Sequence, residues 1–499
     1  MITAFLLTFQ LGLAQSKALE KADRLFQEAS YPAAIEAYQK AIDDEPTNSR
    51  AVIRLADCYR LTDDFRNALR WYAKAVKMKG VEGEVWFHYG EVMMINRKYT
   101  DAIPWLERYQ KKFPEDDRVA DMVASCKNLE AFSAAKSLYL LRRLPLVNSE
   151  FSDFGPSFYD KSVIFASSRK RNILKANRTG DSFLDFYVAP YGGKPELGEP
   201  VLFRSALNTP LHEANACFSA DGKQMFFTRN HVTKGPDSDK EGTFVQLALY
   251  SSTLVEGKWT NEELLPFNDS KYSFGHPALS ADGKKLYFVS NMPGGFGSTD
   301  IYVVEKSGNG WGKPENLGQD INTKGNEMFP WVDANGILYF ASNGRGGLGA
   351  LDIFFVNPDR DVVGNPENVG APVNSPYDDF GFVFDDENGV GFFTSNRLGG
   401  KGDDDLYAVS KLIRWEGQVL DSAGMPLPDA LVDLREGRSR TQMMTDENGK
   451  FMLGLKPNGS YLILLKHPQH QDGRFEFKAT SDALMALNLS MTARKVPGK

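Results

Sequence analysis

The chain reads as a multidomain protein, α-helical at its start and all-β afterwards: a helical solenoid, a β-propeller and a small β-sandwich. Three observations carry this. The N-terminal region matches itself when slid by 34 residues, the middle holds five copies of a strand-rich unit, and the C-terminal region alternates short strands with Gly, Pro and Asn-Gly turns. The length, 499 residues, agrees with about three domains of ~150 residues. A hydrophobic content of 42% with 25% charged residues is ordinary for globular domains and excludes bulk disorder and a polytopic membrane protein. Lys+Arg 58 against Asp+Glu 65 gives −7, which supplies no basic field for nucleic acid. Gly 44 and Phe 34 point to many turns and short strands.

Residues 1–14 are expected to be a signal peptide. MITAFLLTFQLGLAQ has an apolar run ending at the small Ala14, the length of a signal h-region and shorter than the ~20 residues of a span. No Lys or Arg precedes the run, and the competing reading is the first helix of the fold. No Cys follows it, so a lipoprotein anchor has no acceptor thiol. The expected location is therefore exported and periplasmic, with or without outer-membrane association.

In residues 15–143 the period of 34 aligns Ala22, Ala56 and Gly90; Ala34, Ala68 and Ala102; Tyr38, Tyr72 and Leu106; and Ala41, Ala75 and Tyr109, with Pro46, Gly80 and Pro114 closing the units. Small residues at a helix crossing, a bulky residue four later and a terminal breaker suit a stacked helical hairpin. A fourth, degenerate unit starts near Asp117 and is expected to continue as a helix over Ala131–Leu141. Cys58 and Cys126 fall at equivalent positions two repeats apart, beyond the ~7 Å reach of a disulfide, and these and Cys217 are read as small buried residues. The repeat resembles the tetratricopeptide repeat, which implies a concave protein-binding groove. Counting within each unit places Asp23, Arg50, Asp57, Arg60, Phe87 and Glu91 on the groove side of the first helices; the plainer reading is a solvated face.

Residues 144–411 repeat a turn, strand and turn: SADGKQMFFTRN from Ser219, SADGKKLYFVSN from Ser280, DANGILYFASN from Asp333, DENGVGFFTSN from Asp386 and a weaker YDKSVIFASS from Tyr159. The strand aromatics Phe165, Phe227, Phe288, Phe340 and Phe393 are spaced by 62, 61, 52 and 53. Each copy is preceded by a linker pair (Asn148-Ser149, Asn208-Thr209, Asn268-Asp269, Asn322-Thr323, Asn374-Ser375). Four continue into an acidic-apolar-aromatic strand at Asp185, Asp300, Asp352 and Asp405, while the second has Ala248-Leu249-Tyr250. Such units cannot bury both sheet faces alone, so a propeller of five blades is expected, or six if a long copy hides a degenerate one. The repeat resembles the WD-like propeller repeat of the TolB type. Residues 412–495, with Gly417-Gln418-Val419, Asn448-Gly449 and Tyr461-Leu462-Ile463-Leu464, read as an antiparallel sandwich and resemble the carboxypeptidase-regulatory-like, transthyretin-like domain.

The chemistry search yields no catalytic, cofactor-binding or metal site. The six histidines form no HExxH or zinc-spaced set, and no GxSxG or GxxxxGK[ST] occurs. Asn396, Asp403 and Asp405 have oxygens for a calcium loop, but recurrence blade after blade favours a fold-forming turn. Gly344-Arg345-Gly346-Gly347-Leu348-Gly349 meets GxGxxG by accident, since a strand and not a helix follows. A propeller glycosidase would need two or three acids unlike their repeat-mates near the central channel.

The order of regions, taken whole, resembles PorE-like OmpA-family proteins of Bacteroidetes, components linked to type IX secretion and gliding, without the family's OmpA-like peptidoglycan-binding module after the sandwich. The resemblance implies a non-catalytic envelope scaffold with protein partners, no membrane span, no nucleic acid and doubtful direct peptidoglycan binding. The alternative is a carbohydrate-binding or glycoside-processing propeller.

Overall fold

The computed structural model describes residues 17–132, 139–169, 182–203, 207–234, 243–308, 310–358, 364–480, 484, 487 and 489–493. The expected signal peptide lies outside them. The described chain divides into two compact units: the helices and most of the central sheets form one, and the chain from Val409 dominates the other.

Among the described residues seven helices open the first unit: α1 (17–27), α2 (Tyr31–Asp44), α3 (Ser49–Leu61), α4 (Phe65–Ala75), α5 (Glu84–Ile95), α6 (Tyr99–Lys112) and α7 (Arg118–Lys127). The first six pair as three hairpins with the 34-residue period. Each hairpin turns on a left-handed residue at the same place, Ala29, Asp63 and Arg97 (φ 53°, 57° and 60°). Asn48 and Asp64 cap α3 and α4, each side chain accepting a backbone N–H three residues on at 3.1 Å. Ala34, Ala68 and Ala102 are fully buried at the crossings, with Tyr38, Tyr72 and Leu106 four residues later. Gly90 replaces the alanine of the other units because a Cβ there would lie 2.6 Å from Leu106 Cδ2. Of the helix expected over Ala131–Leu141, the described ends are otherwise: Leu129–Phe132 is one 3-10 turn and Tyr139–Arg143 is a strand, while 133–138 lie outside the described residues. Sheet pairing outweighs local helix propensity there, because Tyr139–Arg143 is the outer strand of the last sheet.

Five antiparallel sheets follow, each a meander with its first strand innermost. Their first strands are Asp153–Tyr159, Glu213–Phe218, Phe274–Leu279, Glu327–Val332 and Asp379–Asp385. The second strands, Ser162–Ser167, Gln224–Lys234, Lys285–Ser290, Leu338–Ser342 and Val390–Ser395, carry the buried repeat phenylalanines. The fifth sheet takes its fourth strand from Tyr139–Arg143, ahead of the first sheet, so the two ends of the repeat are joined by backbone hydrogen bonds. The extra length of the second copy lies in its own hairpin, where Gln224–Lys234 pairs with Thr243–Val255 in place of a Gly-rich turn. Successive sheets pack face to face: Ile164 and Phe186 meet Met225 and Phe227, Phe226 and Leu249 meet Leu286 and Phe288, and Val289 and Ile301 meet Leu338 and Phe354. The arrangement is propeller-like.

The repeat signals have specific jobs. At the hairpins Gly222, Gly283, Gly336 and Gly389 all have φ between 64° and 80°. Each linker Asn acts as a short extra strand. Asn322 accepts from Ile301 N at 2.8 Å and donates to Ile301 O at 3.0 Å, and Asn148, Asn208, Asn268 and Asn374 bind Leu406, Phe186, Leu249 and Ile353 in the same two-way fashion. The third-strand acids hold the Gly-rich turns, as where Asp300 accepts from Phe296 N and Gly297 N at 2.6 and 3.1 Å.

In the second unit, Ile413–Asp421 pairs with Lys450–Leu455 and Leu489–Met491, and Leu431–Glu436 pairs with Ser439–Met444 and Ser460–His467. Trp415, Val419, Phe451 and Leu453 from the first sheet share one core with Val432, Leu434, Ile463 and Leu465 from the second. No helix among the described residues is long and apolar enough to cross a membrane.

Candidate functional site

The six groove residues fall into two groups. Asp23 accepts from Tyr38 Oη at 2.7 Å and pairs with Arg50 at 2.9 Å, the latter side chain 64% exposed. Asp57, Arg60 and Glu91 are brought together inside the solenoid. Tyr72 Oη donates to Asp57 at 2.6 Å, Arg60 Nε donates to Tyr72 Oη at 3.3 Å, and Glu91 lies 3.8 Å from Arg60 and 3.4 Å from His88. Burial would raise the Glu91 carboxyl, but the bond from His88 and the charge of Arg60 hold it below its ordinary value. Phe87 does not face a groove: it is buried against His88 and Tyr109, with the Arg118 guanidinium 4.6 Å from its ring centre. The 34-residue count places a position on a helix but does not say which of its neighbours closes over it.

The Gly344–Gly349 run is where the helices meet the sheets. Tyr99 Oη donates to Leu348 O at 2.8 Å, and a Cβ on Gly346 would stand 2.7 Å from Ser125 Oγ. Phe132 O accepts from Ala371 N at 3.1 Å, and Phe65 and Tyr377 have ring centres 6.4 Å apart. The glycines thus serve close approach of α7, and Asp352–Val356, a strand, follows as expected.

The first strands of all five sheets line one axial cavity of about 130 Å³. Each strand contributes a left-handed residue at the same step: Gly155, Asn215, His276, Phe329 and Gly381, with φ from 46° to 66°. In the first four strands the ladder register slips at this step, a bulge re-aiming side chains toward the axis. Phe329 stacks on His276 with ring centres 4.0 Å apart and donates its N–H to His276 Nδ1 at 3.2 Å. The imidazole proton is therefore on Nε2, and burial pushes the ring's pKa down to about 3. Cys217 lines the same cavity and is a free thiol pushed up to about 12 by burial. Sequence reading missed this set because its members differ in residue type; the five-fold equivalence and the prolines at 156, 277 and 330 were the available signal.

Two residues before each axial residue stands a buried group: Asp153, Glu213, Phe274, Glu327 and Asp379. Arg169, Arg229 and Arg397 pair with three of the acids. The third sheet places Phe274 at the acid's site and Met292 at the site of Arg169 and Arg397, beside an open cleft of about 600 Å³ lined by Phe267, Tyr272 and Trp311, while Arg229 stands two residues nearer its repeat phenylalanine. Asp378 and Asp404 differ from their repeat-mates, which are Ser152, His212, Ser273 and Asn326 for the first, and Leu184, Leu247, Thr299 and Leu351 for the second. Asp378 accepts from Leu351 N at 2.9 Å and Asn396 Nδ2 at 3.0 Å. Burial, with Asp379 and Glu91 nearby, pushes it up to about 6. Burial together with Asp378 and Asp403 pushes Asp404 up to about 7. Of the imagined calcium loop, Asp405 is held by Gly402 N at 3.3 Å and by Lys401 N, and Asn396 by Asp378. No group of three or more metal-binding side chains occurs among the described residues.

Two tetratricopeptide repeat models match residues 25–80 and 62–117. The helical region is built of tetratricopeptide repeats. No curated protein matches the chain. Among solved structures, a putative TolB from Agrobacterium tumefaciens is 14% identical over 66% of this chain and 96% of its own, with a TM-score of 0.31. A protein of unknown function from Dyadobacter fermentans is 11% identical over 55% and 99%, with a TM-score of 0.35. A xylan β-1,4-xylosidase from Bacillus halodurans is 11% identical over 68% and 89%, with a TM-score of 0.34.

Proposed function

We propose that this protein is a non-catalytic scaffold for protein-protein interaction in the cell envelope, exported to the periplasm or held at the outer membrane, and that it serves type IX secretion, gliding or a related assembly. The observation that carries the reading is the tetratricopeptide region seated on the fourth and fifth sheets through the Gly344–Gly349 turn, so that a partner-binding solenoid and a ring of sheets act as one compact unit. The five-bladed propeller and the regulatory-like sandwich belong to the same reading. The envelope role rests on the resemblance of the domain order and on the apolar leader sequence.

Affinity purification of the tagged full chain from envelope fractions is expected to recover outer-membrane secretion components, and recovery as a free monomer would overturn the reading. One observation favours a carbohydrate-directed function instead. Asp378 and Asp404 are acids unlike their repeat-mates, with pKa values of about 6 and 7. Binding of the purified chain to a glycan array, in place of protein partners, would favour that second reading.

A further inference from the structure

The axial cavity presents a side-chain amide to whatever occupies it. Asn215 is 8% exposed and lines the cavity; its Nδ2 packs on Gly155, where an added Cβ would stand 2.4 Å from it, and the amide is not sealed from the cavity. Asn tolerates a φ of 46°, but glycine meets the same need at 155 and 381, so the backbone asks for no amide. His276 adds a second open group. Its Nδ1 is occupied by Phe329 N, which leaves Nε2–H as a donor, and the burial that depresses its pKa keeps the ring neutral. His276 and Phe329 also hold left-handed backbone, which disfavours residues with a Cβ, around this one cavity.

The lining restricts what fits. It contains no charged side chain, so an ionised guest would lose its hydration without a counter-charge. The volume, about 130 Å³, approaches the ~150 Å³ that accommodates benzene in an engineered protein cavity. Phe329 and Trp331 supply aromatic surface, while the amide of Asn215 supplies both a donor and an acceptor.

We propose that the axial cavity is a binding site for a neutral, planar, ring-sized molecule with an adjacent N–H and C=O, such as a cyclic amide, paired to the Asn215 amide and ordered by His276 Nε2–H. A cyclic amide meets a carboxamide through two parallel hydrogen bonds, which satisfies the group that the protein leaves open. This site is independent of the solenoid and of the scaffold role proposed above.

The test uses the intact chain with 2-pyridone, benzene and benzoate as probes, followed by thermal shift and saturation-transfer NMR. Saturable binding of 2-pyridone is expected, about tenfold tighter than benzene of the same size, with no binding of benzoate. Asn215→Gly keeps the backbone conformation that Gly155 and Gly381 adopt and is expected to weaken 2-pyridone at least about tenfold. His276→Asn, which also tolerates a left-handed φ, is a second variant that should weaken it in the same direction. Failure of 2-pyridone to saturate, meaning a cavity that holds only water, would overturn the proposal. So would unchanged 2-pyridone affinity in both variants.

Discussion

Replacing Arg229 by Met removes one half of a buried pair with Glu213, and with it the contact that Arg229 Nη1 makes to the partly exposed Glu262. Arg229 Nε lies 2.9 Å from Glu213 Oε1, the two side chains are 7% and 0% exposed, and Arg229 Nη2 also binds Leu207 O at 2.7 Å. Breaking a buried pair from one side costs about 3–5 kcal/mol, because the remaining charge is left uncompensated. Glu213 keeps two donors, Thr209 N at 3.0 Å and Thr209 Oγ1 at 2.5 Å, which points to the lower half of that range. The guanidinium also sits 5.0 Å from the Phe227 ring and 5.2 Å from that of Tyr250, a further loss of about 1 kcal/mol. The expected penalty for Arg229→Met is about 4–5 kcal/mol at pH 8. Removing the charge as well, in Glu213→Gln with Arg229→Met, should recover about half of it. The third sheet supports this logic, since Phe274 and Ser290 occupy the same two ladder positions without any charge. Burial already raises the Glu213 carboxyl, and loss of Arg229 raises it further. A folded-state pKa above the unfolded value destabilises at high pH and ceases to do so below the unfolded value, about 4.3. The gap between wild type and Arg229→Met should therefore narrow toward pH 4.5. Hydrogen exchange of the Gln224–Lys234 amides, with urea unfolding, measures each quantity. A penalty under about 1 kcal/mol, a double variant no more stable than the single, or a gap that widens toward acid would refute the reasoning.

Two further outcomes follow from the same repeat grammar. Asn322→Ala leaves Ile301 N and O unpaired in a buried place, so exchange at Ile301 should accelerate by the equivalent of about 2–4 kcal/mol while the C-terminal sheets stay protected; uniform acceleration across both units would contradict a local strand-mimic role. Asp404→Asn removes a carboxyl whose folded pKa of about 7 lies above the unfolded value. The ionised group destabilises above that pH and costs nothing below about pH 4, so the variant should melt higher than wild type at pH 8 and alike at pH 4. Lower melting at pH 8 would mean that the carboxylate is held by contacts stronger than its burial.

Legibility varied with the kind of signal. The period of 34 located the helix crossings because Ala34, Ala68 and Ala102 must be small wherever two helices touch, a local steric demand written directly into residue type. The linker Asn positions were visible as a repeated pair, but their work was not, since the partner carbonyls and amides lie 19 to 22 residues away or, for Asn148, 258. The axial set was illegible for a different reason. Gly155, Asn215, His276, Phe329 and Gly381 share only a backbone angle, and no shared side chain announces it. The groove residues failed at Phe87, where the angular count was sound but the burying neighbours came from α6 and α7.

What residue order alone settled was the local vocabulary: where helices turn, where hairpins reverse, and that five copies of one strand unit occur in succession. Each of these depends on contacts within a few residues, or on a repeat that sequence can be laid over. What required the folded chain was everything that distant segments decide together. Tyr139–Arg143 is a strand because the last sheet offers it an edge, the GxGxxG run is a seat for α7 because Ser125 comes within 2.7 Å of a Cβ that is absent, and five first strands line one cavity onto which the Asn215 amide opens. Periodicity records what every copy shares, whereas a binding site is made where the copies differ, and only three-dimensional convergence brings those differences to one place.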